Sequence, residues 1–449
     1  MLTLLSVAYP FASVSASTAG GAEQVLLQLD ATLAAAGHRS LVIAREDSAI
    51  SGTLIPVPVI PGVIDNHARA QTYAAVKDCI RDALARHEVD LIHFHGVDFN
   101  EYIYDTAVPM LGTLHLPPEW YPAAVFSDTR LTLHCVSRSQ HERCPPARDL
   151  LPPIPNGVDL EQYRPSRRKR SYVVALGRIC PEKGTHLAID AARAAGLPIV
   201  IAGEAFNYDA HLTYHHQEVV PRKPKLVGSV GGSRKRRLIA GARAVLIPST
   251  VPETSSLVAM EAAACGTPVV AFTSGALPEV VVEGRTGLLA SDSDSMARAL
   301  KNIDEVRPED CRRHAEERFD SRQTSAAYLS LYARLASEHD DLFGRCADAP
   351  PFLHPAWQRP WWEIFGNGAL RVLRVRRQGT LVALATCFEY EGRLVFTGNG
   401  ISDRLDLLAA DDDAASELVE QMRAYRLDLQ DIPEHSPLLR AFDYSPCSV

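Results

Sequence analysis

No apolar run in this 449-residue chain approaches the roughly 20 residues that a membrane-spanning helix needs. The first apolar stretch, Met1 to Tyr9, has no basic segment ahead of it, so it reads as a buried strand and not as a signal peptide. Positive charge is not in excess. A formal net charge of -8 argues against a nucleic-acid binder held by its overall field. The nine cysteines are scattered and form no CxxC pair, which suggests neither a disulfide framework nor a zinc site and fits a reducing cytoplasm. A GxGxxG loop is also missing, so the dehydrogenase reading of the first glycine loop is weak. What remains is an ordinary soluble composition, 46% hydrophobic and 22% charged, in a chain too long for one core.

Strands and helices alternate from the start. Leu2 to Ala8 is apolar throughout, as in a strand buried on both faces. The small-residue loop FASVSASTAGGAEQ follows, then a helical stretch from Gly21 that stops at Gly37, then a strand at Ser40 to Ala44. This is a strand, glycine loop, helix and strand unit of doubly wound type. Leu54 to Ile64 reads as a loop, Gln71 to His87 as a helix and Asp90 to His95 as a strand. His93 and His95 share a face of that strand, and each reads as a satisfied core histidine ahead of a ligand. His115 ends a short strand before a Pro-Pro turn, where a doubly wound sheet places its ligands. Thr132 to Ser137 is a further strand, with Ser137 suited to capping the next helix.

The second half repeats the pattern after a basic linker, RPSRRKR at 164–170, which is either solvated or able to touch an acidic membrane surface. Tyr172 to Ala175 is a strand that opens into LGRICPEKGTH. Arg178 and Lys183 flank this turn, and two cations there suit a diphosphate leaving group. A strand at Pro198 to Gly203 leads into FNYDAHLTYHHQ, whose His211 and His215 would need a third ligand before a metal could be argued. The densest stretch is Ile247 to Ala271, IPSTVPETSSLVAMEAAACGTPVVA. There Glu253 sits in a loop, a helix runs from about Ser256 to Ala264, and Glu261 lies eight residues past Glu253. The free amides of a helix N-terminus accept a phosphate, and a carboxylate on either side can hold sugar hydroxyls.

These motifs, in this order, resemble the family 4 retaining glycosyltransferases of the GT-B fold. The resemblance covers about residues 1–338 and rests on the GGAE loop, the G-R-x-x-x-x-K-G turn and the E-x7-E stretch. It implies two doubly wound, Rossmann-like α/β domains facing a cleft. Residues 1–163 would form the acceptor side and 164–338 the nucleotide-sugar side with a cross-over helix. By the same resemblance, Glu253 orients the donor sugar, Glu261 the ribose, and Arg178 with Lys183 the diphosphate. His115 lies near the donor sugar, while Gly20, Gly21, Gly177, Ser256, Leu257 and Gly275 line the donor. Ser255 and Ser256 stand where the family usually has an aromatic residue and a glycine. The substrate is a nucleoside diphosphate sugar, a UDP-sugar ahead of a GDP-sugar, and the acceptor is a hydroxyl of a glycan, a lipid-linked sugar or a small metabolite, as in polysaccharide biosynthesis. No metal and no separate cofactor are expected, and the leaving phosphate itself takes the acceptor's proton.

Two rivals use the same fold: a sugar-nucleotide epimerase or hydrolase, and a non-catalytic scaffold. The first would not need the GGAE loop, and the second would not need Arg178, Lys183 and Glu253 together. Residues 345–449 change character, with three of the four tryptophans inside PPFLHPAWQRPWWEIFGNG and then an antiparallel meander. This small α+β extension resembles the start of a GNAT-related acyltransferase, without its acyl-CoA-binding half. It is expected to pack on the transferase or to serve self-association.

Overall fold

The computed structural model describes residues 1–442 apart from 17, 19, 63, 148, 167 and 168. The first sheet comprises β1 (Thr3–Val7), β2 (Arg39–Arg45), β3 (Thr53–Val57), β4 (Leu91–Phe94), β5 (Met110–Leu114), β6 (Leu131–Cys135) and β7 (Leu150–Leu151). Their order is β3-β2-β1-β4-β5-β6-β7, and every described pair is parallel. The central strands are buried from end to end, as a sheet covered on both faces requires. One expectation fails here. Thr53–Val57 is an edge strand and not part of a loop, and it tolerates Pro56 because an edge strand can spare a donor. The following helix also starts earlier than its apolar pattern suggested, at Asn66, because the Asp65 carboxylate accepts from the Ala68 amide at 2.8 Å.

The second sheet holds β8 (Val173–Leu176), β9 (Ile199–Ala202), β10 (Lys225–Leu226), β11 (Val245–Ile247), β12 (Val269–Phe272) and β13 (Gly287–Ala290). It is parallel in the order β10-β9-β8-β11-β12-β13. In both sheets the order reverses beside the first strand, and the loops leaving the strands' carboxyl ends there form the crevice of a doubly wound fold. The chain returns to the first domain through the helix Ser321–Arg345, whose Tyr328, Leu331, Tyr332 and Leu335 pack with Leu4, Leu29 and Leu111.

The extension adds the helix Pro355–Phe365 and an antiparallel sheet of β14 (Ala369–Arg377), β15 (Thr380–Tyr390), β16 (Arg393–Phe396) and β17 (Leu408–Ala409). It docks on the first domain. The Trp362 indole donates to the Asp105 carbonyl at 3.3 Å, Arg374 donates to the Thr129 carbonyl at 2.8 Å, and Arg376 pairs with both Asp149 and Glu338. In the basic linker, Arg167 and Arg168 lie outside the described residues, and Lys169 is drawn inward to Thr267 Oγ1 at 2.8 Å and the Ala240 carbonyl at 2.9 Å. Burial brings the Lys169 ammonium down to about 8. No described helix is long and apolar enough to cross a membrane.

Candidate active site at the domain cleft

Lys183 and Glu253 meet. The Lys183 Nζ lies 2.5 Å from Glu253 Oε1, and the Ser249 hydroxyl donates to the same carboxylate oxygen. Lys183 comes from the tight turn after β8, and Glu253 from the loop after β11, the strand beside it. Adjacent parallel strands thus bring together residues seventy positions apart in sequence. Gly275 fixes the Glu253 backbone: its φ is +59°, and a Cβ there would stand 2.2 Å from the Glu253 carbonyl oxygen. The Ala276 amide donates to that same carbonyl at 2.7 Å.

The helix Leu257–Ala264 starts where the sequence placed it. Ser256 is its N-cap, accepting from the Ala259 amide at 3.3 Å. Ser256 thus spends its hydroxyl on the cap, and its contribution to an anion is confined to the backbone at the helix end. Glu261 lies within this helix at 1% exposure. Its Oε1 accepts from Lys235 at 2.5 Å and from the Tyr163 hydroxyl at 2.6 Å, whereas its Oε2 is buried without a partner. A buried carboxylate oxygen without a partner has unused acceptor capacity that a ligand hydroxyl would satisfy.

The first domain closes on these residues. The Thr254 hydroxyl donates to the His115 carbonyl at 2.8 Å, and a Cβ on Gly21 would touch Leu257 Cδ1 at 3.5 Å. Arg178 does not join the Lys183–Glu253 pair. Its guanidinium sits 5.8 Å from the centroid of the Phe206 ring; burial pushes the Glu23 carboxyl up, and the Arg178 charge offsets only part of that rise. Gly20 precedes the helix Gly21–Ala35 as its N-cap, and Glu23 folds back over it, so a Cβ on Gly20 would meet Glu23 Oε2 at 1.9 Å. Gly177 leaves β8 with a φ of +141°, and its carbonyl faces Gly203. The amides of Arg138 and Ser139 donate to Glu279 at 3.1 and 2.6 Å, so Glu279 spans the two domains. Ser137 caps the short helix Arg138–Arg143, accepting from the Gln140 amide at 3.1 Å.

Lys235, Tyr163 and Ser249 were not singled out in the sequence as site residues. Lys235 lies in the run SRKRR and Tyr163 in EQYRP, strings that look like solvated surface until the fold turns them toward Glu261. Nor did spacing identify Gln140, which donates to the Leu114 and Leu116 carbonyls at 2.7 and 2.9 Å and so holds the backbone on either side of His115.

His115 is the end of a buried chain of imidazoles. Its Nε2 lies 3.1 Å from His95 Nδ1, the His95 ring meets the His93 ring at a 46° tilt with centroids 3.9 Å apart, and Thr113 bridges His93 to His134 at 2.6 and 2.7 Å. Burial, reinforced by the neighbouring rings, holds His93 and His95 well below the usual imidazole range and brings His115 to about 3. Burial likewise lowers His134 to about 4. All four are neutral in the fold, whereas in the unfolded chain each titrates near ~6.5. The unfolded state therefore binds more protons below that pH, and stability falls as pH drops from about 6.5 toward 4, by ~1.4 kcal/mol per pH unit for each proton taken up. Urea melts across this range are expected to show that loss and a shallower one in His134→Gln. A flat profile in the native protein would contradict the assignment.

The comparisons with known proteins bear on this geometry. Residues 19–162 match the family described as Glycosyltransferase Family 4, and residues 170–304 match Glycosyl transferases group 1. These are the two domains of a GT-B glycosyltransferase. The transferase domains are 27% identical over 344 residues to a glycogen synthase of Mycobacterium tuberculosis (strain CDC 1551 / Oshkosh), covering 63% of this chain and 82% of that one. Among solved structures, a glycosyltransferase involved in avilamycin A biosynthesis superposes with a TM-score of 0.56 at 23% identity, over 75% of this chain and 98% of the other. The Anabaena protein HepE in complex with UDP and glucose gives 0.58 at 20% identity, over 74% of this chain and all of that one. At these identities the two superpositions speak for the fold.

Proposed function

We propose that this glycosyltransferase moves a sugar from a nucleoside diphosphate donor to a hydroxyl acceptor with retention of anomeric configuration. The carrying observation is the Lys183–Glu253 pair at the cleft, with Gly21 against Leu257 and Thr254 on the His115 carbonyl. In the free enzyme these opposite charges satisfy each other. A donor would exchange that pairing, its diphosphate taking Lys183 and its sugar hydroxyls taking Glu253. Arg178 and the amides at the start of the helix Leu257–Ala264 would share the phosphate charge that develops as the bond breaks.

The same pairing argues against Glu253 as a nucleophile, because Lys183 and Ser249 both engage its Oε1. Retention would then follow from acceptor attack on the face the diphosphate leaves, with a phosphate oxygen taking the acceptor's proton. This chemistry asks for no divalent cation on the diphosphate, since Arg178 and Lys183 supply the positive charge. Adding Mg²⁺ or Mn²⁺ should leave the rate unchanged, and the product's anomeric coupling by NMR should match that of the donor. An inverted anomer would overturn the mechanism.

Glu261 would hold the ribose with its unpaired Oε2. Losing one charge-assisted hydrogen bond costs about 1.5–3 kcal/mol, so Glu261→Gln should weaken nucleotide binding about tenfold or more in a calorimetric titration. Unchanged affinity would remove Glu261 from the donor site. A UDP-sugar is the preferred donor, in keeping with the UDP in the HepE structure of the same fold. The reading places the enzyme in the cytoplasm, where its eight described cysteines, all unpaired, stay reduced.

A further inference from the structure

The histidine-rich stretch after β9 lacked a third ligand in sequence, and the fold supplies two from elsewhere. His211, on the helix Asp209–Tyr214, comes against Cys180 and Glu182 of the turn that carries Arg178 and Lys183. One ligand atom from each of the three lies within 4.8 Å of the others. Zinc bonded to sulfur, nitrogen and oxygen brings such atoms to about 3.5 Å of one another, so roughly an ångström of closure completes the site.

The groups are prepared for a ligand and poorly served without one. His211 is 8% exposed and its Nδ1 is buried without a hydrogen-bond partner, as is Glu182 Oε2. Such orphaned atoms are costly in a folded protein unless something binds them. The Cys180 thiol makes a weak contact, donating to the Arg178 carbonyl at 3.8 Å, which a metal-bound thiolate would give up.

We infer that Cys180, Glu182 and His211 form a binding site for one thiophilic divalent cation of the zinc type, with water in the fourth position. Three ligands of mixed sulfur, nitrogen and oxygen character match the softness and coordination number of Zn²⁺ and suit Mg²⁺ or Ca²⁺ poorly. The site lies beside the diphosphate-binding side chains and is not one of them. Its effect would be to tie the helix Asp209–Tyr214 to the turn between Arg178 and Lys183 and so hold those cations at fixed spacing.

The test needs no sugar nucleotide, so its outcome is separate from that of the transfer reaction. The full-length protein is stripped of metal and titrated with Co²⁺, which reports a thiolate ligand by a sulfur-to-cobalt charge-transfer band. One equivalent is expected to raise that band together with tetrahedral d–d absorption, and Zn²⁺ is expected to bleach both. Cys180→Ser should abolish the charge-transfer band, and His211→Gln, on the outer helix, should weaken binding at least tenfold. Cys144→Ser is the control, because the Cys135 and Cys144 sulfurs are 3.3 Å apart and form a thiol pair that could itself take cobalt. Zn²⁺ should also raise the melting temperature of the native protein and not that of Cys180→Ser. Absence of the band, its persistence in Cys180→Ser, or its loss in Cys144→Ser would each overturn the assignment.

Discussion

Lys183→Ala is expected to lower kcat/KM about 10²–10³-fold, the usual cost of removing one preorganised stabiliser of transition-state charge. The loss should fall mainly on kcat, because the leaving diphosphate is more negative in the transition state than in the bound donor. The fold should survive. Lys183 is a third exposed, and Glu253 would keep its hydrogen bond from Ser249. Steady-state kinetics with circular dichroism on the same preparations would check both halves of this expectation. Lys183→Arg should recover only part of the rate, because a planar fork cannot replace a compact ammonium in that turn. Activity within threefold of the native enzyme in Lys183→Ala would place the diphosphate elsewhere.

Arg376→Ala should destabilise the protein by about 3–5 kcal/mol, the typical cost of removing one partner from a buried ion pair. Arg376 lies between two acids, Asp149 of the first domain at 2.5 Å and Glu338 of the returning helix at 2.6 Å. All three side chains are nearly sealed from water; burial works against the guanidinium's charge, and the two carboxylates outweigh it and strengthen its hold on the proton. Without Arg376, both would remain buried, with Asp149 keeping the Thr132 hydroxyl at 2.7 Å and the more distant Arg374 at 3.9 Å. The extension joins the transferase through this network, the Trp362 and Arg374 contacts, and the packing of Leu342 on the returning helix with Leu381, Leu384 and Leu408. Urea denaturation should therefore show a lower midpoint, and limited proteolysis should cut sooner between the helix Ser321–Arg345 and β14. A midpoint unchanged from the native protein would show that the acids do not rely on Arg376.

Much of this was legible before any coordinates. Parallel strands buried on both faces announce themselves as continuous apolar runs, which is why Leu2 to Ala8 and Pro268 to Phe272 were placed to within a residue or two. The helix start at Ser256 was equally plain, because a serine cap before an apolar run is a local signal. Thr53–Val57 was missed since its proline and its edge position both blur strand character. Lys183 and Gly275 stand out in the sequence because a glycine or an adjacent charge marks each as part of a turn. The site was illegible where a partner arrives from a distant segment: Lys235 and Tyr163 reach Glu261 from 26 and 98 residues away. The pairing of Lys183 with Glu253, and the meeting of His211 with Cys180 and Glu182, belong to this second kind. Sequence supplies the groups, and only the strand order makes them neighbours.

The central claim is that a nucleoside diphosphate binds between Lys183 and Glu261 on the second domain. A thermal-shift screen of the native protein against UDP, GDP, ADP and dTDP, without added metal, tests it most directly, since a ligand that binds only the folded state must raise the melting temperature. The account predicts a clear rise with one nucleotide, UDP first, and its reduction in both Lys183→Ala and Glu261→Ala. No rise with any nucleotide, or an equal rise in both variants, would contradict it.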